Sequence, residues 1–203
     1  MRGADGVRDQ LTLLLSSEMP RKIPLLRQAW NLDAAGLPEV SKFVSGDPPE
    51  NIIAEQESLV AVINPRLLRS VRTGDFDELG TPEYHNRYSC RAYVWAKGDD
   101  WDASIRARDN LAVCARLCLF EYPTLTNEGG ESGYRLREDT YTEDFGVPVR
   151  AAGTRCWAAA ILSIDLDAEE HVDAGSTITA LGSAETITPT ITAVGANQPL
   201  PGE

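Results

Sequence analysis

Residues 87–120 read "RYSCRAYVWAKGDDWDASIRARDNLAVCARLCLF", and the fold follows from this stretch. Tyr88, Cys90, Ala92 and Val94 alternate with Ser89, Arg91, Tyr93 and Trp95, which is the pattern of a strand with one apolar and one mixed face. Gly98 turns the chain, and Asp100 or Asp102 is placed to accept from the free amides of a following helix. That helix is expected from about Trp101 to Phe120. Ile105, Ala112, Ala115 and Leu119 fall on one row, with Leu111, Cys114 and Cys118 beside it. Arg106, Asp109, Asn110, Val113 and Arg116 lie opposite or at the margins. One broad apolar stripe facing a sheet is core packing.

Working outward, "SLVAVINP" (Ser58–Pro65) is a continuous β-branched run ended by Asn-Pro, a strand buried on both faces. The polar segment after it turns at Gly74 and Gly80 and begins with a short hairpin arm around Leu67–Arg72. "TRCWAAAILSIDLD" (Thr154–Asp167) is the longest strand candidate, with Cys156, Ala158, Ala160, Leu162, Ile164 and Leu166 on one face. "YRLREDTYTEDFGV" reads either as a second hairpin or as an extended excursion. At the N-terminus a helix is expected from Gly6 to Ser17, stopped by Pro20, and a second from about Ile23 to Trp30. "NLDAAGLPEVSKFVSGDPPENII" then reads as a long irregular connection. The last thirty residues are rich in Thr, Ala and Gly, lack bulky apolar content, and suit an extended arm. The pattern defines an α+β fold: an antiparallel or mixed sheet flanked by helices over residues 1–173, with an extended C-terminal arm over 174–203.

The chain has 203 residues, with 31 acidic against 19 basic side chains and a net charge of −12. Such a surface repels nucleic acid, whose binding rests on phosphate neutralisation. No apolar run is long enough to span a bilayer. The first residues, interrupted by Asp5, Asp9 and Gln10, read as an amphipathic helix rather than a signal peptide. The four cysteines, Cys90, Cys114, Cys118 and Cys156, are too few and scattered for a disulfide scaffold. Reduced, buried thiols and folding in a cytoplasm are expected.

No motif is poised for catalysis. There is no G-x-S-x-G, and "GGESG" lacks the following Lys-Ser or Lys-Thr of a phosphate loop. Cys90 has only His85 nearby in sequence, and five residues of strand place them roughly 16 Å apart. With His85 and His171 alone and no C-x-x-C, zinc has no cage. Cys114 and Cys118, four apart, read as small apolar filling. "IDLDAEEHVD" lacks the glycine and spacing of a calcium loop and reads as a solvated strand end. No catalytic, metal or cofactor residue is assigned.

Three segments together, "LVAVINP", the strand-to-helix run "YSCRAYVW…ASIRARDNL" and "RCWAAAIL" ending in acidic residues, resemble the tail terminator (tail-completion) proteins of long-tailed siphophages, especially the actinobacterial-phage type. The resemblance covers about Asp9 to Asp173 and is most specific over Tyr88–Leu119 and Arg155–Leu166. It implies an α+β subunit of a virion tail or neck, assembled in the host cytoplasm into a homohexameric ring. Such a ring caps the tail tube, stops its polymerisation and presents a docking surface to the head-tail connector protein. Its partners would be itself, the tail-tube protein and the connector, with DNA passing through the lumen without specific binding and no membrane involved. The Thr-rich arm after Asp173 is not part of that family's common core.

Acidic residues lining the lumen would keep DNA from adhering. Trp95, Trp101, Asp102, Arg106, Arg108, Asp109 and Arg116 are the candidate subunit-interface residues, with core packing as the plain alternative for the two tryptophans and a solvated helix face for the charged five. Trp157 is expected in the core. A connector or stopper in the neck is the neighbouring reading. A small cytosolic thiol hydrolase using Cys90 or Cys114 is the reading from another class, and a tail-tube subunit is disfavoured by the long helix.

Overall fold

A computed structural model describes residues 3–48, 56–63, 65–73, 83–126, 132–150 and 155–171. The expected arm, 174–203, lies outside them. In chain order the elements are α1 (Gly3–Trp30), β1 (Lys42–Ser45), β2 (Ser58–Val62), β3 (Arg66–Arg72), β4 (Glu83–Gly98), α2 (Trp101–Glu121), β5 (Thr124–Thr126), β6 (Ser132–Phe145), β7 (Val149–Arg150) and β8 (Cys156–His171). The α+β class read from the sequence holds.

The spine is the antiparallel pair of β4 and β8, in register over its full length from Glu83↔His171 to Gly98↔Cys156. Their even-numbered residues face one way and most are buried, among them Cys90, Ala92, Val94, Ala160, Leu162 and Leu166. β2 and β3 both pair with the outer edge of β4, at Ala92–Ala96 and Tyr84–Ser89. On the other side β6 and β7 pair with β8, and β5 with β6. Every pairing is antiparallel except β1 with β2, which makes the sheet mixed.

β1 falls inside the stretch read as irregular. Four residues carry no usable periodicity, and long-range pairing fixes them instead: Lys42 to Ser45 align with Leu59 to Val62. Ser58 ties the approach to β1, donating to the Glu39 carbonyl and accepting from the Ser41 amide at 3.0 Å.

Pro20 does not stop the first helix. α1 runs unbroken through Pro20 and Pro24, where two helices were expected. Val7, Leu11, Leu15, Met19 and Ile23 recur every four residues, and all are buried against the sheet and α2. Each such side chain contributes roughly 1.5–3 kcal/mol by burial. Together they outweigh two interior prolines at about 3 kcal/mol each. The true stop is Asn31, which takes a left-handed conformation at φ +53°. The Asn31 amide bonds back to the Gln28 carbonyl and that of Leu32 to the Arg27 carbonyl, closing the helix end.

α2 begins as the sequence indicated. The Asp100 carboxylate accepts from the Ala103 amide at 2.7 Å and caps the helix. Leu111, Ala112, Cys114, Ala115, Cys118 and Leu119 are buried in the core shared with the sheet and α1. α1 lies against α2, and both helices cover the even-numbered face of the spine.

Candidate assembly interface

The odd-numbered residues of β4 and β8 look away from the helices, and this outer face has two halves. Near the α2 end, Trp95 stacks on Tyr93 with ring centroids 5.2 Å apart. Their partners across the ladder are Ala159 and Ile161. Lys97 Nζ sits 4.9 Å from the centre of the Trp157 ring. Trp157 was expected in the core. It is odd-numbered, and the strand's two-residue period puts it on the outer face, half-buried beside Lys97.

The other half is a ladder of arginines. Register places Arg66, Arg69, Arg87, Arg91, Arg135 and Arg137 on this face, with Asp165 and Asp167 between them. Arg87 Nε donates to Asp167 Oδ1 at 2.8 Å, while Arg137 and His85 each lie 3.7 Å from the same carboxylate. Arg137 also pairs with Asp139, which raises the guanidinium pKa and lowers that of the carboxyl. Arg66, Arg69, Arg91 and Arg135 are exposed and make no ion pair among the described residues. Shallow clefts of about 320 and 240 Å³ open on this half around His85.

This changes two expectations. The acidic end of β8 is not simply solvated: Asp167 is gripped by Arg87, and Glu170 accepts from Asn86 at 2.6 Å and Tyr88 at 3.0 Å. Secondly, a chain of net charge −12 concentrates cations on one sheet face.

The seven candidate interface residues do not form one patch. Trp95 belongs to the outer face. Trp101, Asp102 and Arg106 are exposed on α2, and Asp109 is half-buried there. Arg108 is only 6% exposed within the subunit. Its Nη1 donates to the Gly146 carbonyl at 2.9 Å, its guanidinium lies 4.8 Å from the centre of the Phe145 ring, and Asp109 pairs with it at 2.7 Å. It clamps the turn after β6 to α2 within the subunit. Arg116 likewise reaches Glu143 of β6 at 3.1 Å. Helix periodicity ranks Arg108 with the polar residues, but it cannot register a carbonyl 38 residues away.

The thiols behave as filling. All four cysteines are free and buried. Burial pushes the Cys90 thiol far up, and it faces the core while His85 faces outward. That separates the only nucleophile pair the sequence offered. Cys118 donates to Cys114, which lowers the Cys114 pKa and raises its own. Among the described residues no cluster of three His, Cys, Asp or Glu could hold a metal, and no helix is long and apolar enough to cross a membrane.

No protein-family model and no curated protein sequence matches the chain.

Proposed function

We propose that the chain is a structural virion protein, a subunit of a homohexameric ring at the head-proximal end of a siphophage tail tube. The ring ends tube polymerisation and gives the head connector a surface to dock on, with DNA passing through its lumen. The support is the resemblance carried by Tyr88–Leu119 and Arg155–Leu166, together with the one-sided construction of the sheet. That construction is the observation that carries the reading. Both helices cover one face of the β4–β8 spine, and the other presents Tyr93, Trp95 and Trp157 beside an arginine ladder. Aromatic residues and arginine are what protein interfaces concentrate at their centres. A thiol hydrolase is poorly served by this chain, because Cys90 is buried, held protonated and turned away from His85.

The reading is tested by adding the purified full chain to a cognate siphophage tail-tube protein as it polymerises. Tubes that stop lengthening and carry a ring at one end, seen by electron microscopy, are the expected result. Unchanged tube lengths with bare ends would contradict it.

A further inference from the structure

We infer that copies of this chain join head to tail through opposite edges of the sheet, the basic edge of β3 docking on the acidic edge of β6 in the next copy. The inference rests on the ring reading above and names its interface.

β3 is exposed at all seven positions, and among the described residues no strand pairs with its outer edge. It carries Arg66 and Arg69, and it exposes Leu67 at 49%, Leu68 at 48% and Val71 at 38%. An exposed apolar edge strand offers unpaired amides and carbonyls to another chain. At the far side, β6 pairs with β5 only over Ser132–Arg135, and the Leu136 amide reaches the Pro123 carbonyl at 2.7 Å. Beyond Leu136 no described strand covers β6. This free segment bulges between Arg137 and Thr142, where Glu138 and Asp139 sit, and resumes its ladder with β8 at Thr142–Phe145, which carries Glu143 and Asp144. Glu138 and Asp144 make no ion pair among the described residues and are exposed.

Chain direction agrees. Along β3, β4, β8 and β6 each neighbour is antiparallel to the last, so β3 and β6 run in opposite senses. A second copy in the same orientation therefore presents its β3 antiparallel to β6 of the first, and the helices of both stay on one side.

Charge selects this pairing over the others. Joining two β3 edges would set arginines against arginines, and joining two β6 edges would set carboxylates against carboxylates. Like charges opposite one another destabilise a strand pair. Only the mixed pairing brings opposite charges together. Such a heterologous contact closes into a ring when its rotation permits. The free segment of β6 lies further along the spine than β3, so successive copies are staggered, as strands in closed sheets are.

The test uses two charge-reversed full-length variants, R66E/R69E and E138R/D144R, with circular dichroism to check that each folds. In sedimentation velocity the wild type is expected to run as a multi-subunit species, and each variant alone as a monomer. An equimolar mixture should recover the assembly, because each variant's altered edge complements the other's. Variants that assemble alone as the wild type does would overturn the edge contact and leave the ring standing. Monomeric variants whose mixture stays monomeric would overturn it too. A wild type that is monomeric at every concentration would remove the ring and its interface together.

Discussion

Gly98 and Ser104 meet where β4 turns into α2: a Cβ on Gly98 would stand 2.3 Å from the Ser104 amide nitrogen and 2.8 Å from the Ala103 carbonyl carbon. Both obstructing atoms are backbone held by the Asp100 cap, so neither yields as a side-chain tip would. The close approach of strand end to helix start demands a residue without a side chain. We predict that Gly98→Ala costs at least the upper part of the usual overpacking range of about 1–3 kcal/mol. Urea unfolding followed by tryptophan fluorescence measures it. A variant within about 0.5 kcal/mol of wild type would show that the turn is looser than described.

The unbroken α1 gives a prediction of opposite sign. Pro20 lies mid-helix, between Leu15 and Met19 on one side and Ile23 on the other, and it cannot donate to the Ser16 carbonyl. Pro20→Ala restores that donor, and we expect stabilisation by about 1–3 kcal/mol. If the chain instead broke into two helices at Pro20, the substitution would bring little gain. The shift in urea midpoint distinguishes the two.

Arg108 supports the subunit from within. Arg108→Met removes the donor to the Gly146 carbonyl, at a cost of about 1.5–3 kcal/mol for a hydrogen bond from a charged group. Arg108→Lys should recover only part, because an ammonium cannot reproduce the fork toward Gly146 and Asp109. Both variants should still assemble when folded. Loss of assembly at unchanged stability would return Arg108 to the interface.

Alkaline pH should unfold the protein through groups the fold keeps neutral. Burial, with Glu170 nearby, pushes the Tyr134 phenol from its ordinary 10.0 up to about 12. Tyr88 and the Cys90 thiol are pushed up the same way, burial being the main cause in each. A pKa raised in the folded state contributes stability fully below the unfolded value and loses it as pH climbs through the folded one. For Tyr134 that window is pH 10 to about 12, and for Cys90 it opens near 9.0. The urea midpoint should therefore fall above about pH 9, and Tyr134→Phe should flatten part of the decline. A midpoint that does not move across that range would show that these groups are more open to water.

Much of this fold was legible because its strongest signals are local. The two-residue period of Tyr88–Val94 and the helix stripe from Leu111 to Leu119 each follow from side-chain geometry alone. So did the two-faced burial of Ser58–Val62. What escaped was non-local. β1 exists because Lys42–Ser45 finds β2. α1 crosses two prolines because a tertiary groove rewards Met19 and Ile23. The candidate surface divides similarly. The alternation of its strand puts Trp95 on the mixed face, where it lies, whereas the arginine ladder joins Arg66, Arg87 and Arg135 from three strands, and only their register makes it visible.

The central claim is self-assembly, and the molar mass of the full chain in solution tests it most directly. Light scattering over a range of concentrations should give one discrete mass at a whole multiple of the 22.1 kDa subunit, six-fold for the proposed ring. High salt should weaken the assembly, because part of the contact is between exposed charges. A mass of one subunit at every concentration and salt would contradict the account.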